Sequence, residues 1–462
     1  MSGSHTTGWK NAAGRARGGL WMVLIALLAS PAAAQDDKLP PGVSLATIYT
    51  RLDKPIVAVR PFSVPIPAGP VGQTVSSVIE NDLRLSDRFR VLPTPTSLAA
   101  PDSVPYDQWN SINVVYLVTG EMQPSADGWS IAMRVHDVPY GQIKEAGTFA
   151  LPAASAPEFR MAVHALADQV VQWTMNEPGM AATRVTFARR NEGGGYDLMV
   201  VDSDGENLRR LAGSSSDIYS PVWSPDGSRL VYTTRQEEGG WALIERDVAA
   251  GTTRTLLRAD LLMTPAYSPD GRTIAFGLWQ ENADLEIYLL DAAGGTRPRR
   301  LTDSGGDNVS PTFSPDGRSI AFHSTRTGRS HIYVMSADGG RAELLTPVGE
   351  GVKYAAPDWS PLGTLVSFHG QSRGGMQVML GNAARRAGQI QQYTTSGWNE
   401  DPSIAPDGRH IVYTGEGGDG VGLFIIDVET GGTRRLAAGA GLFMADWSPP
   451  VARPVPIRID RP

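Results

Sequence analysis

From Ala182 onward the apolar residues come in short runs, alternating with polar positions and separated by Gly, Pro, Asp and Ser. This is the pattern of half-buried β-strands joined by tight turns. One unit reads Tyr219-Ser220-Pro221-Val222-Trp223, a turn at Ser224-Pro225-Asp226-Gly227, Arg229 to Tyr232, a Gly hairpin, Leu243 to Asp247 and Thr253 to Leu257. These are four predicted strands, A to D. The turn returns as Ser268-Pro269-Asp270-Gly271 and Ser314-Pro315-Asp316-Gly317, then degraded as Ser360-Pro361-Leu362-Gly363, Ala405-Pro406-Asp407-Gly408 and Ser448-Pro449-Pro450, at steps of 43 to 46 residues. A fixed period in this range marks propeller blades. Arg184 to Leu211 supplies strands B, C and D without an A, and Phe443 to Trp447 supplies an A alone. Joined, the two halves make one blade, which predicts an all-β six-bladed propeller closed by pairing of its N- and C-terminal strands, so that no sheet edge is left open.

Before the repeats the periodicity changes. Pro55 to Val59 reads as a buried strand, and Val71, Val75, Val78, Ile79 and Leu83 follow at helical spacing. Phe89 to Leu92, Val114 to Thr119 and the alternating Trp129, Ile131, Met133 and Val135 after Asp127-Gly128 read as further strands. Phe159, Val163, Leu166, Val170 and Trp173 mark a helix ended by Pro178-Gly179. The expected organisation is a small α/β domain over 52–179 and the propeller over 180–450. The polar, Pro-containing stretch 35–51 reads as a mobile N-terminal arm, and the Pro/Arg-rich 451–462 as a mobile C-terminal tail. At the start, Lys10, Arg15 and Arg17 precede the apolar run Leu20 to Ala29 and then Ala32-Ala33-Ala34. That is a secretory signal layout over 1–34, with cleavage expected after Ala34, because the run is about half the ~20 apolar residues needed to span a bilayer.

Composition narrows the function classes. With 41 Lys and Arg against 48 Asp and Glu, the net charge is -7 without a long run of one sign. Neither a nucleic-acid footprint nor a polybasic membrane patch is present, and no direct membrane insertion of the mature chain is expected. The absence of Cys removes disulfides, thiolate metal sites and a cysteine nucleophile. The seven His residues show no metal-ligand spacing with an acidic partner, so no metal and no cofactor are expected. Gly370-Gln371-Ser372-Arg373-Gly374 matches the nucleophile-elbow pattern of hydrolases, but its flanks read as strands on both sides where the elbow needs a strand and then a helix. Gly415 to Gly420 matches G-x-G-x-x-G, yet leads into the strand Leu423 to Asp427 and not into a helix that could hold a pyrophosphate. Asp202, Asp247, Asp291 and Asp427 recur at strand C ends, where a repeat-wide position caps turns.

The residues leading into each A strand should ring one mouth of the central channel. In register they are Ser220, Thr264, Ser310, Ala356, Asp401 and Met444. One step outward lie Tyr219, Met263, Val309, Ala355, Glu400 and Phe443, and one further Ile218, Leu262, Asn308, Tyr354, Asn399 and Leu442. Mixed apolar and polar groups around a concave mouth suit protein recognition, against the plain alternative of solvated loops.

The order of signal peptide, α/β domain opening with Lys54-Pro55-Ile56-Val57-Ala58-Val59-Arg60-Pro61-Phe62, six Ser-Pro-Asp-Gly repeats and terminal Trp447-Ser448-Pro449 resembles the TolB family of the Tol–Pal system. The tail after Pro450 and the degraded fourth and sixth turns depart from its pattern. The resemblance implies a non-enzymatic, monomeric periplasmic adaptor that supports outer-membrane integrity and invagination during cell division. It implies two partners, the lipoprotein Pal at the propeller mouth and TolA at the N-terminal arm. On that basis Thr264, Asn308, Ser310, Tyr354, Asn399, Glu400 and Asp401 are the expected Pal surface, and Gln35, Asp36, Asp37, Lys38, Val43, Leu45, Ile48 and Tyr49 the expected TolA epitope. Two other classes remain open: a propeller that is part of, or accessory to, a peptidase, and a polysaccharide-binding propeller.

Overall fold

The computed structural model describes residues 43–45 and 54–460, apart from 66–69, 100–102, 214–216, 281–283, 350–351, 373–374, 386–388 and 419. The expected signal, Gln35 to Lys38, Ile48 and Tyr49 lie outside the described residues.

Six sheets follow one another along the repeats, each with four antiparallel strands from the repeat, and the fifth gains one further parallel strand at its outer edge. Blade 1 is the composite one, ordered Leu442–Trp447, Arg184–Arg190, Tyr196–Asp202 and Arg209–Ala212. Blades 2 to 6 begin with the inner strands Ile218–Trp223, Leu261–Tyr267, Asn308–Phe313, Tyr354–Trp359 and Glu400–Ile404. At the closure, the Ser448 hydroxyl accepts the Arg184 N–H at 2.8 Å and the Trp447 indole donates to Thr183 Oγ1 at 2.7 Å. Strand pairing puts alternate residues on opposite faces, so each blade buries one row against each neighbour. Phe276, Phe322 and Phe368, on the second strands of blades 3, 4 and 5, are fully buried in this way.

The repeated turn explains its own sequence. In the intact copies the Ser hydroxyl donates to the Asp carboxylate (2.5 to 2.6 Å) and accepts the N–H of the residue five positions on at 2.9 Å. The Gly takes φ 69° to 71°, a region that disfavours any residue with a Cβ. In the fifth copy Ala405 replaces the Ser, and the carboxylate of Asp407 is free to turn to His410, with Nδ1 at 2.6 Å.

The α/β domain is a six-stranded mixed sheet in the order Arg90–Val91, Ile56–Val59, Tyr116–Ser125, Gly128–Asp137, Gln142–Pro152 and Val455–Asp460. Helices α1 (Val71–Leu85) and α3 (Phe159–Met175) cover one face through Val75, Ile79, Leu83, Val163, Leu166 and Val170. The short helix α2 (Tyr106–Ser111) sets the fully buried Trp109 among Ile56, Ala58, Val114 and Leu117 in a second cluster. Each of these large apolar side chains contributes about 1.5–3 kcal/mol by leaving water.

Two expectations of mobility are corrected. The tail is not loose through its length: Val451 donates to the Ala182 carbonyl, and Val455–Asp460 pairs antiparallel with Ala146 to Ala150. In the arm, Val43–Leu45 pairs in parallel with Ile390–Gln392, the outer strand of blade 5, where Val43 packs on the cluster holding Ile390 and Leu345. Composition missed both, because an edge strand is held by backbone hydrogen bonds that any residue type supplies.

Candidate functional site: the channel mouth

Every inner strand breaks register at one place, between Tyr219 and Val222, Met263 and Ala266, Val309 and Thr312, Ala355 and Asp358, Glu400 and Ser403, and Phe443 and Asp446. In each bulge one residue adopts left-handed φ: Ser220, Thr264, Ser310, Ala356, Asp401 and Met444, between 46° and 54°. This is the six-membered ring placed at the mouth by the repeat alignment. For residues with a Cβ that conformation costs about 1–2 kcal/mol each. Five of the six precede a Pro, a context that predicts extended backbone, so the sequence carried no sign of it.

The bulge turns backbone N–H groups along the ring, where side chains of the preceding blade accept them. Ser310 N–H donates to Thr264 Oγ1 at 2.9 Å and Ser220 N–H to Met444 Sδ at 3.2 Å. Met444 N–H donates to the Asp401 carboxylate. Ala356 has no acceptor to offer, and Asp401 N–H instead reaches His369 Nδ1 at 3.0 Å. Burial lowers the His369 pKa to about 4, which keeps the imidazole neutral and able to accept. Deeper in the channel the scheme repeats: Trp223 N–H donates to Asp446 at 2.8 Å, Ile404 N–H to Asp358 at 2.7 Å, Trp359 N–H to Thr312 Oγ1 at 3.1 Å and Trp447 N–H to Ser403 Oγ at 3.1 Å. The mouth is thereby a rigid rim.

Its electrostatics are acidic. Burial, reinforced by Asp401, raises Glu400 to about 7. Burial raises Asp401 and Asp358 to about 6 even though each accepts a backbone N–H. Asp446 is pushed well up by burial and by the charge of Asp358.

The expected Pal surface divides in two. Thr264, Ser310, Glu400 and Asp401 are partly open around the mouth. Asn308, Tyr354 and Asn399 are buried and do not offer free side chains, which corrects the expectation for these three. Asn308 donates to Glu286 at 2.9 Å and accepts from Arg326 at 2.8 Å, so it holds a guanidinium that stacks over Phe322 and Tyr333 at 5.2 and 4.7 Å. Asn399 donates to the Ser396 carbonyl at 2.8 Å. Tyr354 packs edge-on against Phe368. Tyr219 and Phe443, read from the sequence as one step out from the ring, belong to a half-exposed aromatic group on the rim of blades 1 and 2. Tyr219 meets Tyr196 and Trp241 at 5.2 and 5.3 Å and Tyr196 meets Phe443 at 6.1 Å. The sequence reading missed the other two members, Tyr196 and Trp241. It also missed Trp398, 59% exposed beside Asn399. Strand alternation could have found Tyr196 and Trp241, since each opens a C strand at the end where the A strands begin.

Ser372 ends the strand Leu365–Ser372 and pairs with Gly375 of the next, so the chain turns back as a hairpin and no helix N-terminus follows it. Gly417 and Gly420 likewise pair across a hairpin. Among the described residues, Asp82, His164 and Asp204, and Asp87, His410 and Asp427, are sets whose ligand atoms lie within 4.8 Å of one another. Arg160 bonds Asp204, Lys54 bonds Asp87 at 3.2 Å and Arg409 bonds Asp427 at 2.6 Å, so both sets read as ion-pair networks and not as metal centres.

Residues 173–451 match the TolB beta propeller domain family and residues 49–143 match the TolB amino-terminal domain. The chain belongs to the TolB family. It is 34% identical over 204 residues to the Tol-Pal system protein TolB of Methylococcus capsulatus and 33% identical over 190 residues to that of Alkalilimnicola ehrlichii. These matches cover 43% and 40% of this chain and 46% and 43% of the relatives, so the chain is matched over a little under half of their length. The crystal structure of TolB from Acinetobacter baumannii superposes with a TM-score of 0.74 at 25% identity, over 89% of this chain and all (100%) of that one. The TolB fold thus extends over both domains of this chain.

Proposed function

We propose that this protein is a non-enzymatic periplasmic adaptor of the Tol–Pal system, which binds Pal at the channel mouth and TolA through its N-terminal arm and so supports the outer membrane during division. The observation that carries the reading is the rim itself: six bulged inner strands hold acidic, hydroxyl and aromatic groups on a preorganised concave surface. Its polar groups are engaged with neighbouring backbone, and the Ser of the elbow-like motif lies in a hairpin. That arrangement suits recognition of a protein surface better than bond-making. The relatives named as Tol-Pal system proteins support the assignment to the system. The structure supports a narrower Pal surface than the sequence suggested, comprising Thr264, Ser310, Glu400 and Asp401 with the aromatic rim. The arm needs its strand at Val43–Leu45 to leave blade 5 before TolA can read that part of it.

Binding of purified Pal and TolA to variants tests this. Glu400→Lys should weaken Pal binding at least tenfold with the melting curve unchanged, and deletion of residues 35–49 should abolish TolA capture while sparing Pal. Equal loss of both partners in either variant, or tight binding of peptidoglycan fragments without Pal, contradicts the reading.

A further inference from the structure

The α/β domain meets the propeller along a buried ionic seam. Two histidines, His164 on α3 and His410 in blade 6, are fully buried there. Their surroundings mirror each other. Each ring directs Nδ1 at a carboxylate of its own domain, His164 at Asp82 (2.7 Å) and His410 at Asp407 (2.6 Å). Each aims Nε2 at a carboxylate of the other domain, His164 at Asp204 (3.8 Å) and His410 at Asp87 (3.6 Å). These second distances exceed a hydrogen bond, and neither Nε2 has a hydrogen-bond partner among the described residues. A neutral imidazole can donate its one N–H to the nearer carboxylate but gains nothing from the second. An imidazolium between two carboxylates gains from both.

The rest of the seam has the matching charges. Around His164, Arg160 on its own helix bonds Asp204, Arg434 of blade 6 donates to the Ser203 carbonyl at 2.8 Å, and Asp168 accepts the N–H groups of Ala181 and Ala182. Around His410, Arg409 holds Asp427 and Glu429 at 2.6 and 2.7 Å, Lys54 holds Asp87, and Arg88 lies 3.8 Å from Asp407. Both histidines reach the end of α1, His164 through Asp82 of its own domain and His410 through Asp87 across the seam. Ala405 stands where the intact turns carry Ser, so no turn hydroxyl shares the Asp407 carboxylate with His410.

We propose that His164 and His410, each carrying a proton, are a pair of charged latches that lock the α/β domain onto the propeller, and that loss of those protons loosens the seam. Burial opposes the charge on His410, but Asp407 and Asp87 outweigh it and raise its pKa to about 9. Burial likewise opposes His164, and Asp82 and Asp204 raise it above the ordinary value. The sign follows from linkage. Opening is here a local unfolding that takes each imidazole away from both of its carboxylates to an ordinary pKa near 6.5. Against that state the closed seam binds more protons, so the latch is strongest below about pH 6.5, weakens by up to tenfold in the opening constant per pH unit per imidazole, and for His410 is spent above about pH 9. Asp168, raised by burial to about 7, also favours closure at low pH, but its contribution ends near neutrality. The window above pH 7 therefore excludes Asp168 and leaves the two imidazoles.

Hydrogen exchange of the full chain, read as a ratio of seam peptides (82–88, 160–168 and 407–411) to blade 4 peptides to remove the chemical pH dependence, tests the latch. So does an NMR titration of the imidazoles. Both rings should be protonated at pH 7, and the seam-to-blade ratio should climb between about pH 7 and about pH 9 and then level. Asp87→Asn, which removes the cross-domain partner and keeps Asp407, should lower the His410 titration and move the climb to lower pH. Asp204→Asn should do the same for His164. Neutral imidazoles at pH 7, or a ratio flat across the window, overturns the proposal. If a variant fails to fold, the titration and exchange of the unaltered chain decide by themselves.

Discussion

At Gly227 the backbone holds φ 69°, and a Cβ there would meet Val451 Cγ1 at 3.0 Å. Gly227→Val should therefore cost about 1–2 kcal/mol, seen as a lower melting temperature. At Gly363, in the degraded fourth turn, φ is not in the left-handed region and a Cβ would meet nothing within 4 Å, so Gly363→Ala should leave the melt unchanged. The channel carboxylates give a prediction with a pH sign. Burial raises Asp358 to about 6, so the folded state holds its proton more tightly than the unfolded chain, whose carboxyl titrates near 3.8. Stability from this group is present at low pH and is lost as pH rises between those two values. Asp358→Asn, whose amide oxygen can still accept the Ile404 N–H, should stabilise the propeller by about 1–3 kcal/mol at neutral pH and hardly at all near pH 4. Melting curves at the two pH values distinguish this from a simple packing effect, which would persist at both.

Among the elements, the last strand is the one composition described least well. Val455 to Arg458 are all exposed, so this strand is held by its ladder to Ala146–Ala150 and buries little side chain. Truncation after Ala452 should raise exchange along 146–150 while leaving the propeller melt in place. The truncation spares Val451 and Ala452, which pack on Met161, Ala165 and Ala182. A fall in propeller stability would show that the strand contributes to ring closure as well. Strands and helices with strong periodicity were legible from the chain: Val71–Leu85 and Phe159–Met175 match the predicted apolar spacing. Gln142–Pro152 and the helix Tyr106–Ser111 were not foreseen. The first mixes Lys144 and Glu145 into its alternation, and the second is too short for a helical period to be recognised.

For the molecule as a whole, closure of the ring depends on contacts between ends of the repeat region that are far apart in sequence. Ser448 and Arg184, and Trp447 and Thr183, are each separated by 264 residues. Ser448→Ala leaves the Arg184 N–H without that acceptor in a buried site and should cost about 1–3 kcal/mol. Because blade 1 is where the ring is joined, exchange should rise first in Arg184–Arg190 and Leu442–Trp447, ahead of blades 3 and 4. Uniform exchange around the ring would contradict a closure held mainly at this blade. The same blade also carries Asp204 of the seam, so ring closure and domain docking share one element.

By itself the sequence determined the blade count, the composite blade and the position of the mouth ring, because those follow from local turn chemistry and a period of 43 to 46 residues. Turn geometry is set within four residues and repeats wherever they repeat. Only the tertiary structure decided which mouth residues are open. Asn308 and Asn399 read as surface polar groups in the chain, but they are drawn inward by Glu286 and Arg326 in one case and by the 396 carbonyl in the other. It also decided that six non-glycine residues take left-handed backbone, which blade-to-blade hydrogen bonds around the channel support and no local signal announces. The pairing of His164 with Asp204 and of His410 with Asp87 joins residues far apart in sequence. Charge placement of that kind depends on how two finished domains dock, and a period along the chain holds no information about it.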